Sequence, residues 1–390
     1  MADTLRIRAY NVRFGDAILV TIPDQGKKRH LLIDVGNVLN KAGGDDTVFK
    51  PVIEDILKEL DGKPLDLYVM THEHLDHAQG LYYAATKLYA EGELKRKLDV
   101  QYAWLTASAA PDYYERFPEA EKEKKKKKKE LYEQAYGRIE RHLAALPARQ
   151  AEAFQLIMLN NDPRKTDECV GYLRKLAPKQ RTFYVYRGFN TKGKHPFKEA
   201  KFEIWAPEED ASDYYKSLLP MALVEGTAPD AAAGKALPPA GVDAGAFYDL
   251  VDARANGFSD AILAIDKAAN NTSVVFALTW RKRTLLFAGD AELGSWRKMQ
   301  AQNVFRPVDF LKVSHHGSHN GTPAEALLEG FMPLDPAKKK KRHAIISTWE
   351  KTYSGIPHQP TNSKISCRCT LRSIFPKYKD KLYIDTEFTA

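Results

Sequence analysis

The sequence predicts an α/β protein whose strand tips carry its chemistry, and three observations lead there. A helical pattern, Phe49 to Leu60, stands between the strand patterns His30–Asp34 and Asp66–Met70, which makes a β-α-β unit. Four strand patterns end in a polar cluster: Asp34-Val35-Gly36, Thr71 to His77, Gly289-Asp290, and Ser314-His315-His316-Gly317. Finally, 44% hydrophobic and 28% charged residues over 390 positions are ordinary for a globular chain large enough to bury a sizeable core. Open α/β sheets keep their sites at the carboxyl ends of their strands, and these clusters occupy such ends.

Taken in order, Leu5–Val12 alternates as a strand, Phe14-Gly15-Asp16 turns, and Ala17–Ile22 is a second strand. Pro23 to Lys28 supplies the hairpin loop to the third strand, which closes on Asp34-Val35-Gly36. After the β-α-β unit, Gln79 to Ala90 reads as a helix and Leu98–Leu105 as a strand ending in Thr106-Ala107-Ser108. Tyr113 to Leu146 is charged, lysine-rich and helix-prone; Thr182–Tyr186 and Lys201–Trp205 read as strands, and Asp213–Leu223 as a helix. Residues 225–246 are rich in Ala, Gly and Pro and read as a surface loop. Strand patterns return at Asn270–Leu278, Thr284–Ala288, Asp309–Val313 and Ala344–Thr348. This divides the chain into a first half (1–108), an insertion (109–269) and a second half (270–390).

The densest chemistry is His72-Glu73-His74-Leu75-Asp76-His77, three imidazoles and an interlaced carboxylate directly after an apolar strand. Imidazole nitrogens and carboxylate oxygens suit Zn2+ or a similar divalent ion, and alternate residues can point at two ions. Asp290, released from its strand by Gly289, can reach into a site crowded by histidines. Strand alternation through Asp309–Val313 lets only one of His315 and His316 face a metal; His315 is taken as the ligand, leaving His316 to contact substrate or move protons. His142 and His195 have no other ligand types near them in sequence.

Three cysteines, Cys169, Cys367 and Cys369, cannot make a disulfide framework and read as reduced thiols. With no apolar run long enough to span a bilayer and no signal-peptide pattern after Met1, the expectation is a cytoplasmic protein with no membrane partner. A net charge of +8 favours an anionic partner, although the excess sits in two runs, Lys124–Lys129 and Lys338–Arg342. No aromatic residues interleaved with cations stand out as a base-stacking platform.

His72-x-His74-x-Asp76-His77 resembles the metal signature of the metallo-β-lactamase fold, a four-layer αββα sandwich holding one or two ions. Within it, Asn11–Ala17, Leu32–Gly36, Asn271–Val275, Leu286–Asp290, Leu311–Ser318 and Tyr353–His358 look most like the hydrolase domain of the competence DNA-uptake protein ComEC and its free-standing relatives. The likeness covers most of 5–108 and 270–360. It departs at Ile356, where the family form carries a histidine, and after Leu105, where many members of the wider fold carry a third histidine for the first metal.

The resemblance implies this sandwich with a large mixed α/β insertion at 109–269. It puts His72, His74 and Asp290 on one Zn2+ or Mn2+ ion and Asp76, His77, Asp290 and His315 on the other. Asp34 orients the ligands, His316 or His358 protonates the leaving group, and Lys312 and Ser318 contact substrate. The implied activity is metal-dependent hydrolysis by a metal-activated hydroxide, with a phosphodiester, nucleic acid first, as substrate. A small-molecule ester, lactone or thioester is the alternative. A metal-stabilised interaction protein with a vestigial site, docking a protein partner through the insertion, is the reading from another class.

Overall fold

The computed structural model describes residues 3–37, 46–120, 157, 159–216, 266–349 and 356–390. The first strands run β1 (Thr4–Tyr10), β2 (Ala17–Asp24) and β3 (Lys27–Val35), followed by α1 (Phe49–Glu59), β4 (Leu67–Met70), α2 (Leu75–Tyr83) and β5 (Ala103–Thr106). Next come α3 (Pro163–Leu173), β6 (Thr182–Val185), β7 (Ala200–Ala206), β8 (Val275–Trp280), β9 (Arg283–Phe287) and α4 (Leu293–Ala301). The chain closes with β10 (Phe310–Lys312), α5 (Glu325–Phe331), β11 (His343–Ile346), α6 (Gln359–Ser366), β12 (Thr370–Ser373) and β13 (Tyr383–Thr389).

Two mixed sheets result, ordered β13-β1-β2-β3-β4-β5-β6 and β12-β11-β10-β9-β8-β7. Their strands are apolar at consecutive positions because each sheet is covered on both faces. Along β3 and β4, Ile33, Leu67 and Val69 point inward to meet Phe276, Phe287, Phe310 and Ile345 of the other sheet. The alternate residues Leu32, Tyr68 and Met70 point outward against Val52 and Ile56 of α1, Ala78 and Leu81 of α2, and Leu173 of α3. On the opposite side Leu286, Leu311 and Ala344 pack under Trp296 and Met299 of α4, Leu328 and Phe331 of α5, and Ile365 of α6. Three apolar cores between four layers make the αββα sandwich, as the sequence implies.

Helix α1 forms where apolar residues fall at 49, 52, 53 and 56, one buried stripe at helical spacing. Helix α3 starts at Pro163 behind Asp162, whose carboxylate accepts the Arg164 N–H, so fixed φ and N-cap chemistry coincide. Where it is described, segment 109–269 is built into the sandwich: α3 packs on α2, and β6 and β7 are the edge strands of the two sheets. Residues 266–270 are helical, so strand β8 begins at Val275, later than the pattern from Asn270 suggests. The Ala/Gly/Pro-rich stretch 225–246 and the run Lys124–Lys129 lie outside the described residues. Cys169, Cys367 and Cys369 are free thiols. Among the described residues no helix is long and apolar enough to cross a membrane.

Strands β3, β4 and β5 run parallel in one sheet, and β9, β10 and β11 in the other. Their carboxyl ends meet along one edge of the sandwich, where the Val274 N–H donates to the Thr71 carbonyl at 2.9 Å.

Candidate metal centre

The loop after β4 carries His72 and His74, and α2 starts so that Asp76 and His77 lie in its first turn. Asp34, at the tip of β3 with φ of 51°, fixes this loop from behind. One of its oxygens accepts from the Thr71 N–H (2.8 Å); the other accepts from the Thr71 hydroxyl (2.6 Å) and meets His77 Nδ1 at 2.8 Å. Gly36 lies so close beneath that an added Cβ would stand 2.1 Å from the Asp76 carbonyl carbon. No other residue fits without moving the loop. The Asp16 N–H donates to the Asp76 carbonyl at 3.0 Å, which ties the Phe14–Asp16 turn to the same backbone.

From the second sheet, Gly289 at φ 50° releases Asp290 after β9, and the Asp290 N–H donates to Ser273 Oγ. Strand β10 ends at Lys312, and 314–317 form a tight turn in which His315 (φ 47°) and His316 (φ 52°) are both left-handed. Here the geometry differs from what strand alternation leads one to expect. Alternation presumes extended backbone through 315, and the left-handed pair swings His316 inward instead. His316 Nε2 lies 3.2 Å from Asp290 and 3.4 Å from Asp76. His315 turns to Glu292, with Nδ1 at 3.4 Å, and lines the cavity.

Ligand atoms of Asp76, His77, Asp290 and His316 all lie within 4.8 Å of one another, as do those of His72, His74 and Asp76. Both groups are buried. The outer nitrogens are committed: His316 Nδ1 faces the Ser347 carbonyl at 2.7 Å, His77 Nδ1 faces Asp34, and His72 Nδ1 lies 3.1 Å from the Thr71 hydroxyl. Their Nε2 atoms and Asp76 Oδ1 are buried with no hydrogen-bond partner among the described residues. Nitrogens oriented through the second ring atom and left unsatisfied toward shared carboxylates fit a divalent ion.

The charge distribution agrees. Burial works against the imidazolium of His77 and His316, but Asp290 and Asp76 outweigh it, raising His77 well above its ordinary value and His316 to about 9. Burial likewise opposes the charged form of Asp290, yet His316, His77 and Lys312 hold it well below the usual carboxylate range. Burial and its imidazole neighbours push His72 well down, leaving it neutral. Two protons thus sit where one cation would neutralise the same carboxylates.

Other sequence-predicted residues fall as follows. Asp34 stands behind the ligands and orients His77 and Thr71. Lys312, expected at the substrate, is buried beneath the site, ion-paired with Asp16 and 3.4 Å from Asp290. There it neutralises the buried carboxylates from below. Ser318 lines the cavity and accepts from the Gly321 N–H. His358 precedes α6; its ring packs against His319 and its Nδ1 lies 3.1 Å from the Thr361 hydroxyl, outside both convergent groups. His195 is packed among Trp104, Phe197 and Phe202, where burial lowers it to about 4, a core histidine. The Lys338–Arg342 run precedes β11, which is parallel to β10, so it occupies the opposite end of the sandwich from the metal cluster.

Residues from segment 109–269 reach the metal loop itself. Asn161 Oδ1 meets His74 Nε2 at 3.0 Å, Asn161 Nδ2 donates to Asp266 at 2.7 Å, and Asn160 Oδ1 accepts from the Asp76 N–H. The only sequence signal was Asn160-Asn161-Asp162 before Pro163, which reads equally as a helix cap.

No protein-family model and no curated protein matches the chain. Among solved structures, the metallo-β-lactamase fold protein YhfI from Bacillus subtilis is similar at 9% identity and a TM-score of 0.39, covering 99% of this chain and 100% of that one. A single-residue mutant of the CmlA β-hydroxylase is similar at 9% identity and a TM-score of 0.34, covering 100% of this chain and 54% of that one. Values this low add nothing to what layers and strand order already establish. The architecture is a metallo-β-lactamase-like sandwich.

Proposed function

We propose that the chain is a metal-dependent hydrolase of phosphodiesters, with nucleic acid as the first candidate substrate. The observation that carries this is the convergence of Asp76, His77, Asp290 and His316 from both sheets, with unsatisfied nitrogens facing shared carboxylates. A divalent ion held there supplies Lewis acidity and brings the pKa of bound water towards 7. The protein's own part is orientation: Asp34, Ser347 and Asn161 fix the rings of His77, His316 and His74, and Lys312 balances the buried carboxylates from below. His315, which burial lowers to about 4 and so keeps neutral at pH 7, lines the cavity beside Ser318 and Asn320, facing a bound ligand. The phosphodiester reading is supported by the net charge of +8 and by the ComEC-like blocks of the sequence. A small-ester substrate is the second reading, favoured by a cavity of only ≈ 120 Å³ bounded by Phe14, Ile157 and Ile356.

The test is hydrolysis of bis-p-nitrophenyl phosphate with added Mn2+ or Zn2+, alongside metal content. His77→Ala and Asp290→Ala should lose both bound metal and turnover. Wild-type turnover in either variant refutes the assignment.

A further inference from the structure

On the same edge of the sandwich, beside the metal centre, the loop between β12 and β13 carries Phe375-Pro376-Lys377-Tyr378-Lys379-Asp380-Lys381. Between positions 372 and 383 stand four cations, Arg372, Lys377, Lys379 and Lys381, against the single acid Asp380. The loop is held to the turn that cradles the metal loop. Asn11 Nδ2 donates to the Lys379 and Lys381 carbonyls at 2.7 and 3.2 Å, and the Asn11 N–H donates to the Leu382 carbonyl. Next to it opens a cavity of ≈ 620 Å³ lined by Arg372, Tyr378, Lys381, Tyr383 and Asp385. Its one carboxylate is already neutralised, because Arg8 donates to both Asp385 oxygens at 2.9 Å.

Aromatic rings lead from the metal pocket to this loop. Phe14 lies 4.2 Å from the His316 ring, centre to centre, and packs against Trp349 and Ile356. Trp349 carries the Arg13 guanidinium at 5.5 Å from its ring and meets Phe375 at 5.6 Å. Lys377 and Lys381 stand 5.5 and 5.7 Å from the Tyr378 ring centre. Trp349, Phe375 and Tyr378 are each only half-buried, and Lys377, Lys379 and Lys381 are exposed.

We propose that this cation-and-aromatic groove binds a single-stranded nucleic acid and leads its backbone to the metal centre. Alternating positive charges and ring faces match a chain of phosphates with unpaired bases, since any base can stack on an aromatic face while lysines follow the backbone. A duplex hides its base faces and uses only the charges. The inference rests on the phosphodiesterase reading and names the form of its substrate.

Binding of fluorescein-labelled dT20, read by anisotropy with EDTA present so that nothing is cut, tests the groove apart from catalysis. Lys377→Ala/Lys381→Ala should weaken binding by at least about tenfold and flatten the salt dependence by about 1.4 in log–log slope, two single-strand phosphate contacts. Tyr378→Ala should weaken it by about 5- to 100-fold with the slope unchanged. A duplex of equal length should bind more weakly than dT20 to the wild type. No binding by the wild type, wild-type affinity in these variants, equal loss from the far-end pair Lys339→Ala/Lys340→Ala, or competition by polyglutamate as strong as by dT20 overturns the proposal. Wild-type hydrolysis of bis-p-nitrophenyl phosphate reports the metal centre separately. Turnover without dT20 binding sinks the groove alone, and groove-dependent binding without turnover sinks the hydrolase reading alone.

Discussion

Glu292 offers a quantitative check on the electrostatics around the centre. It caps α4 beside Asp290, is fully buried, accepts from Asn270 at 3.0 Å, and lies 3.4 Å from His315 Nδ1. Burial pushes its carboxyl from 4.5 up to about 8. An acid whose folded pKa is raised binds its proton more tightly in the folded state, so its contribution destabilises the fold as pH rises above the unfolded value. With 4.5 unfolded and about 8 folded, linkage gives a cost of about 1 kcal/mol at pH 5.5, about 3 kcal/mol at pH 7 and about 4 kcal/mol at pH 8. Glu292→Gln keeps the shape and removes the titration. Urea unfolding of metal-free protein should therefore find the variant's advantage growing by about 3 kcal/mol between pH 5.5 and pH 8, with unchanged m-values. A constant difference between variant and wild type across that range would mean the carboxyl titrates normally, and the description of its environment would be wrong.

The remaining predictions concern the metal itself. His316→Ala should cut bound metal per chain, measured by elemental analysis, while His315→Ala leaves it intact; the reverse would restore the ligand choice that strand alternation suggests. Asn161→Ala removes the partner of His74 Nε2 and should weaken the ion nearest His72 and His74 by about 10- to 100-fold in a calorimetric titration. Nearby carboxylates hold the protons on His77 and His316 at pH 7 without metal, and both must be lost to ligate, so metal uptake should release about two protons and weaken as pH falls. Calorimetry in buffers of different ionisation heat reads this directly; heats independent of buffer would contradict it.

The three-histidine loop was legible because its ligand types crowd six positions behind an apolar strand, and Asp290 because a glycine precedes it at a strand end. Local rules failed where the partner is distant or the backbone irregular. Alternation favoured His315 as the ligand and left His316 to substrate, whereas His316 is the ring turned to Asp76 and Asp290, because two left-handed residues follow β10 and no period-two pattern encodes that. Lys312 read as a substrate contact because its partner Asp16 lies in the first hairpin, far away in sequence. Asn161 and Asp266 were missed for the same reason. The cations and aromatics of 375–381 were passed over as a stacking platform, because the run is short and only the fold sets Phe375 against Trp349.

Because Asp76 and His77 hang from one sheet and Asp290 and His316 from the other, an ion shared among them would rivet two layers together. During synthesis the first half of the chain would carry an incomplete grip until residues beyond 316 have been made and the second sheet has closed. Loading with metal would then report completed assembly of the sandwich, and a chain truncated before β10 should leave the ribosome empty-handed.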